Sequence, residues 1–178
     1  GNTTATLRWN HVFSPKLFAN TTLVYNDYKF KFGASQNNFE IELASGIRDG
    51  NAKIDFDFYP APRHKVKFGG QTTYHKFVPN VLTGRQDTTV FNPGNEDIKY
   101  ALENAIYIQD DWKITDWLKV NLGLRGTLFQ QTGPYTSKIT QDTFSGGEVV
   151  KTYNSLEPRI FINSSIGLTS SIKAGITS

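Results

Sequence analysis

The stretch Ala105–Leu128, AIYIQDDWKITDWLKVNLGLRGTL, decides how the rest of the chain is read. In its second half Leu118, Val120, Leu122, Leu124 and Leu128 share one phase, interrupted only by Gly126. Lys119, Asn121, Gly123, Arg125 and Thr127 share the other. A period of two is a strand. Thr115 to Trp117 reads as a short turn back to a preceding strand, which also ends in a tryptophan, Trp112. Two long strands, a minimal turn and aromatics at one end are the pattern of a hairpin in a membrane β-barrel.

The composition around this hairpin agrees with that reading. The chain has 178 residues, with 13 Phe, 8 Tyr and 15 Gly, and neither Cys nor Met. Mean hydropathy is only −0.42, and no run of 18 apolar residues occurs, so no transmembrane helix is encoded. A barrel strand needs only about 9–11 residues to cross, and half of them are free to be polar. The net charge of +3, from 19 basic and 16 acidic residues, is dispersed. There is no Lys/Arg block and no RNA-binding aromatic motif, which argues against a nucleic-acid partner. The absence of Cys excludes a disulfide framework and thiolate chemistry. The chain opens on Gly-Asn-Thr-Thr and closes on Ile176-Thr177-Ser178 within an apparent strand, so a fragment of a larger protein is expected.

Taken in order, Ala5 to Phe13 alternates, and Ser14-Pro15-Lys16 is a turn. Leu17 to Phe32 is one long strand whose apolar phase moves after Tyr25 to Tyr28, Phe30 and Phe32. A bulge or emergence from the membrane would each produce that shift. Gly33 to Asn38 reads as a polar tip. Asp49-Gly50 is locally a strong hairpin signal. Reading Gly50 as a bulge inside one strand, Phe39 to Tyr59, is preferred, because it puts Ser14-Pro15-Lys16 and Pro60-Ala61-Pro62-Arg63 at the same end. His64 to Phe77 returns, followed by a long irregular stretch from Val78 to Asp97. Ile98 to Ile114 and Leu118 to Gln131 form the opening hairpin. Thr132 to Tyr153 is a second long polar connection. Leu156 to Asn163, a turn near Ser164 to Gly167, and Thr169 to Thr177 complete the set. Short turns at one end and long connections at the other predict an all-β chain of about eight antiparallel up-and-down strands, about 22 residues for each strand and connection.

Candidate catalytic arrangements are weak. Asp55 and Asp57 share a face, as glycosidase carboxylates do, but they alternate with Phe56 and Phe58 beside Lys53, which suits a solvated ladder. Asp110 and Asp111 are adjacent and face opposite sides. His64 and His75 are eleven apart and also face opposite sides. No metal-ligand spacing or GxSxG motif occurs. Neither an enzyme, a metal site nor a cofactor is expected. Tyr59, Trp112 and Trp117 lie beside short turns and are candidates for an aromatic girdle at the headgroup level.

The run Tyr107-Ile108-Gln109-Asp110-Asp111-Trp112-Lys113, followed by Leu118 to Arg125 with Gly123 and Arg125 as a closing Gly-x-Arg, resembles the barrel of TonB-dependent outer-membrane receptors. Leu156-Glu157-Pro158-Arg159-Ile160 with Ser171 to Gly175 resembles the next strand pair of that family. Gly69 with Tyr74-His75-Lys76-Phe77 is similar to the preceding strand in receptors of the Bacteroidetes type. The resemblance implies that residues 1–178 are part of a barrel of roughly 22 strands in the bacterial outer membrane, without the plug domain and remaining strands. It further implies import of a siderophore, vitamin, haem, glycan or peptide, energised through TonB. Implied partners are outer-membrane lipid, the plug, TonB and, in the glycan-importing branch, a surface lipoprotein. Gln109, Asp110, Asp111, Trp112, Gly123, Arg125, Glu157, Pro158 and Arg159 are architectural residues under this resemblance. No substrate contact is carried onto them. Two other readings stay open at this level: a non-transport outer-membrane barrel and a soluble β-rich binding module.

Overall fold

The computed structural model describes residues 1–37, 39–86, 89–91, 98–167 and 169–177, with Asn80, Val81 and Phe91 described by their backbone alone. The strands are β1 (Asn2–Ser14), β2 (Leu17–Gln36), β3 (Phe39–Ala61), β4 (His64–Gln86), β5 (Thr89–Phe91), β6 (Lys99–Lys113), β7 (Leu118–Thr132), β8 (Tyr135–Thr136), β9 (Thr143–Phe144), β10 (Val149–Ser165) and β11 (Ser171–Thr177). Eight of them pair in the order β1-β2-β3-β4-β6-β7-β10-β11, every neighbour antiparallel, with β5 added to β4. β8 and β9 form a separate small hairpin.

The short turns follow from local chemistry. The Lys16 N–H donates to Ser14 Oγ at 3.2 Å across Pro15, whose ring presets the turn. At the opening hairpin the Thr115 N–H donates to Leu118 O at 3.2 Å, and Thr115 Oγ1 accepts from the Leu118 N–H at 3.0 Å. One threonine therefore closes the connection between β6 and β7.

Several expectations are corrected. Asp49-Gly50 lies within one 23-residue strand, β3, and it is no bulge. Gly50 pairs with Tyr25 on one side and Tyr74 on the other without a register shift. A Cβ at Gly50 would meet nothing within 4 Å, so the ladder pairing on both sides, and not packing, holds this residue in the strand. The apolar phase change in β2 is likewise no bulge, because β2 stays in register with β3 from Leu17 to Gln36. Residues 33–36 are strand, and the tip shrinks to Asn37, with φ of 53°, beside Asn38, which lies outside the described residues. The stretch from Val78 continues as strand to Gln86, with one irregularity where Ala44 and Gly46 pair with Val81 and Val78 around Pro79. A proline lacks the ladder N–H, so it is at home in such a bulge. Residues 87–88 and 92–97 of that stretch are outside the described set. The connection after Thr132 holds the β8–β9 hairpin, and β10 already begins at Val149.

The sheet is a single layer. Among the described residues only Ala19 and Ala105 are buried hydrophobics, at 4% and 3% exposure, while Leu, Ile and Phe side chains along one face stand open. A soluble domain buries its apolar faces between two packed layers. Here no second layer exists among the described residues, so apolar residues in phase along every strand need another apolar medium.

Tight contacts occur where an aromatic ring crosses a neighbouring strand at glycine. A Cβ on Gly175 of β11 would stand 2.0 Å from the Phe161 ring of β10. Gly175→Ala is expected to cost about 1–2 kcal/mol, and most of that cost is expected to vanish in the background Phe161→Ala, because only a side chain obstructs. Urea unfolding of the intact receptor and its three variants in lipid measures this coupling, and an unchanged cost in the double variant would contradict it.

Candidate functional site

The register divides the sheet into two faces with different chemistry. Laterally aligned residues form rows. On the apolar face the lowest row, nearest the short turns, is His64, Trp112, Val120 and Ile162. Above it come Phe58, Val66, Asp110, Leu122 and Ile160, then Phe56, Phe68, Ile108, Leu124 and Pro158, then Ile54, Gly70, Ile106, Gly126 and Leu156. Further up stand Leu23, Ala52, Thr72, Asn104 and Leu128, and then Tyr25, Gly50, Tyr74 and Leu102. From His64 to Tyr74 is ten residues along β4. At about 3.4 Å per residue and a tilt of about 40°, that is about 25 Å, the height of the apolar band of an outer-membrane barrel.

Aromatic residues mark both edges of this band. Trp112 stacks on His64 at the lower edge, with ring centroids 5.5 Å apart. Tyr74 stacks on Tyr100 at the upper edge, 6.2 Å apart. Trp117 is exposed in the short turn. Tyr59 departs from the expected girdle. Its ring meets Phe18, which is in register with Asp57, and the Lys65 ammonium lies 5.6 Å from its centroid, so it belongs to the polar face. Sequence reasoning did not assign Tyr25, Tyr74 and Tyr100 to an edge, since only register across three connections puts Tyr25 and Tyr74 in one row and Tyr100 in the next.

Asp110 does lie in the apolar phase, as its position in the sequence requires, and the structure supplies its partner. His64 Nδ1 is 2.7 Å from Asp110 Oδ2 across the β4–β6 pair. An acidic side chain near the band's lower edge is thus hydrogen-bonded on one oxygen, while Oδ1 has no partner among the described residues. Removing only one member leaves an unpaired polar group. His64→Leu is expected to destabilise the receptor by about 1–3 kcal/mol. The double variant His64→Leu/Asp110→Leu is expected to recover most of that loss. Thermal or urea unfolding in lipid distinguishes the two, and a double variant as weak as His64→Leu would refute the pairing.

The opposite face is a polar ladder. One row runs Asp55, Gly69, Tyr107, Arg125 and Glu157, and the next Asp57, Lys67, Gln109, Gly123 and Arg159. The structure therefore brings Gln109, Gly123, Arg125, Glu157 and Arg159 together, and sends Asp110, Trp112 and Pro158 to the other side. Asp111 is on the polar face and accepts a hydrogen bond from Asn121 Nδ2. The Tyr107 hydroxyl donates to the Asp55 carboxylate, two strands away. It reaches there because Gly69, on the strand between, has no side chain: a Cβ there would lie 2.7 Å from the hydroxyl and 2.2 Å from Ile54 O. Lys53 Nζ holds the other Asp55 oxygen at 3.1 Å, and the Arg125 guanidinium lies 5.8 Å from the Tyr107 centroid. Arg159 pairs with Glu157 at 3.3 Å. Lys53, Asp55, Lys67, Tyr107, Arg125 and Arg159 line a depression of about 220 Å³. Around it the four cations Lys53, Lys67, Arg125 and Arg159 stand among three carboxylates, Asp55, Asp57 and Glu157. Higher up, His75 Nδ1 contacts Asp49 Oδ1 at 2.8 Å. No group of three His, Asp or Glu side chains among the described residues is arranged to hold a metal ion. In the short turn, the Lys113 ammonium, 2.5 Å from Asp116, holds the exposed Asp116 carboxyl below the usual range.

Above the upper tyrosines the two faces exchange polarity. The phase that faced outward as Leu23 and Tyr25 becomes Asp27, Lys29 and Lys31. The formerly polar phase becomes Tyr28, Phe30 and Phe32, aligned with Ile47, Leu43, Phe77 and Leu82. Because the register is continuous in β2, the reversal reports a change of surroundings: the outward side leaves hydrocarbon for water. The inward aromatics form an open apolar surface at the mouth of the wall.

Such a one-layer, two-faced antiparallel sheet defines a wall segment of an outer-membrane β-barrel. The family described as "TonB dependent receptor-like, beta-barrel" matches residues 1–169, and the chain belongs to that family. It is thereby part of a TonB-dependent outer-membrane receptor, located in the outer membrane. No curated protein matches it by sequence. Among solved structures it is similar to the ferric citrate transporter FecA in its unliganded form, at TM-score 0.71 and 14% identity, covering 98% of this chain and 26% of that one. It is also similar to BauA, the ferric preacinetobactin receptor of Acinetobacter baumannii, at TM-score 0.64 and 14% identity, covering 98% and 29%. A third is the ferric-catecholate import receptor Fiu of E. coli K12, at TM-score 0.57 and 15% identity, covering 99% and 35%. At these identities the likeness is one of fold. The chain spans about a quarter to a third of the length of these receptors.

Proposed function

We propose that residues 1–178 form about eight strands of a barrel of roughly 22, closed by further strands and plugged by a domain of the same protein. The intact receptor imports a ligand across the outer membrane at the expense of TonB. The observation that carries this reading is the pairing of an apolar face about 25 Å tall with a polar face on which Lys53, Lys67, Arg125 and Arg159 alternate with Asp55, Asp57 and Glu157. A wall with lipid on one side and a filled lumen on the other needs both faces. In this reading Gln109, Gly123, Arg125, Glu157 and Arg159 face the plug. Trp112 and Trp117 anchor the inner-leaflet edge. Ligand candidates are an iron chelate, in keeping with what the three similar receptors are named for, or a vitamin, haem, glycan or peptide. In the glycan case a surface lipoprotein would cap the mouth.

The test is uptake by cells carrying the intact receptor, with labelled chelates, vitamins, haem, glycans and peptides. Accumulation of one class is expected, and its loss in cells lacking TonB or the proton gradient. Uptake that is indifferent to TonB would refute energised transport, and point to a passive outer-membrane barrel.

A further inference from the structure

The base of the polar face carries charges that the wall itself does not neutralise. We infer that Lys113, Lys119 and Lys173 form a docking site for an acidic segment of the domain that plugs the barrel, at the end of the lumen that opens to the periplasm. The position comes from the register. Lys113 pairs with Lys119, Lys119 with Asn163 and Asn163 with Lys173, so every position of this row but Asn163 is a lysine. The row next to it is Lys65, Asp111, Asn121, Phe161 and Gly175. Both rows share the phase of Arg125 and Glu157 and oppose that of Val120, Leu122 and Ile160. They face the lumen, out of reach of lipid, and the short turns put them at its periplasmic end. This contact rests on the reading that a domain of the same protein fills the lumen, and is independent of which ligand is imported.

Charge balance singles out this level. The two rows further into the barrel, from Asp57 to Arg159 and from Asp55 to Glu157, match the cations Lys67, Arg125 and Arg159 with the carboxylates Asp55, Asp57 and Glu157. The two base rows set Lys65, Lys113, Lys119 and Lys173 against Asp111 alone. Asp111 already accepts a hydrogen bond from Asn121. Lys65 lies 3.7 Å from Asp57, and Lys113 is paired with Asp116 in the turn. Lys119 and Lys173 have no carboxylate within 4 Å among the described residues. Like charges directly opposite each other on paired strands, as Lys113 and Lys119 are, repel until a counter-charge is supplied. Lys65, Lys113, Lys119 and Asn163 border a depression of about 530 Å³, together with the rings of Tyr59 and Phe161. Lysines beside aromatic rings suit a peptide segment, whose carboxylates meet the ammonium groups and whose carbon chains cover the rings. An inorganic anion would leave the rings uncovered.

A water-soluble carbodiimide joins a lysine amine to a carboxylate in contact with it. Applied to the intact receptor in outer-membrane vesicles and read by peptide mass spectrometry, it is expected to link Lys119 and Lys173 to Asp or Glu side chains of the plug. The charge reversal Lys119→Glu/Lys173→Glu is expected to speed amide hydrogen exchange in the linked plug segment by roughly tenfold or more. The control Lys29→Glu/Lys31→Glu, on the outward phase at the opposite end, is expected to leave that exchange unchanged. Links from Lys53 or Lys67 to the plug, with none from Lys119 or Lys173, would put the plug in the barrel and still overturn the site. Links from the base lysines to a separate protein, or exchange that the reversal does not alter, would overturn it as well. The coupling is read on the unmodified receptor, so the site is tested even if the variant fails to fold. Uptake in cells with and without TonB is scored separately, and its indifference to TonB would sink energised import while leaving the docking contact in place.

Discussion

Replacing Ile106 by arginine is expected to destabilise the intact receptor in a bilayer by about 2–4 kcal/mol. Ile106 is 73% exposed, in a row midway between the Trp112 and Tyr74 levels. On a water-facing surface an arginine at so open a position would be nearly free, within about 0.5 kcal/mol. In hydrocarbon the guanidinium must be desolvated or drag water into the bilayer. The control is Ile139→Arg in the long connection after β8, where the side chain is 94% exposed and the expected change is within about 0.5 kcal/mol. Urea titration of both variants, folded into the same lipid, measures the difference. Equal costs for the two would place Ile106 in water and sink the membrane-wall reading.

The second large effect is at Gly69. Gly69→Val is expected to cost about 3–5 kcal/mol, combining overpacking with loss of a hydrogen bond to a carboxylate. The new Cβ would meet Ile54 O at 2.2 Å and the Tyr107 hydroxyl at 2.7 Å. The first of these is backbone, so β3 and β4 must separate. The second dislodges Tyr107 from Asp55. Tyr107→Ala is therefore not expected to rescue Gly69→Val, in contrast to the Phe161–Gly175 pair. The neighbouring Gly70 provides the control. A Cβ there finds Ala105 O at 3.5 Å, an ordinary contact, so Gly70→Ala is expected to stay within about 1 kcal/mol of the parent. Similar costs at the two glycines would show that ring crossing is not what Gly69 is for.

The strands were largely legible because a period of two over ten or more residues is hard to mistake. Leu118 to Leu128 is read from the sequence and found in β7 with the same face outward. Asp49-Gly50 was harder. Its local preference for a turn is real, but β2 and β4 pair with β3 on both sides, and twenty ladder pairs on each side outweigh one dipeptide. The connections were read as too long for the same reason: polar residues 33–36 and 82–86 look like loop once the strand has left the membrane. There both faces are wet or lumenal, and the alternation that betrays a strand reverses phase.

The site shows the same division. Gln109, Arg125, Glu157 and Arg159 could be assigned to a polar phase from parity alone, strand by strand. Which of them share a row could not, because that depends on the lateral register between strands separated by long connections. Asp110 appeared as an anomaly on an apolar face until β4 placed His64 beside it. Tyr107 and Gly69 gave no sign of belonging together at a separation of 38 residues, since the link exists only where one ring lies across another strand's backbone. By itself the sequence determined the class of structure, the two faces of each strand and the end at which the short turns lie. These follow from local periodicity and turn chemistry. Only the tertiary structure decided which residues from different strands meet, where the apolar band stops and where the faces exchange polarity. Those are properties of the register, set by the whole sheet at once.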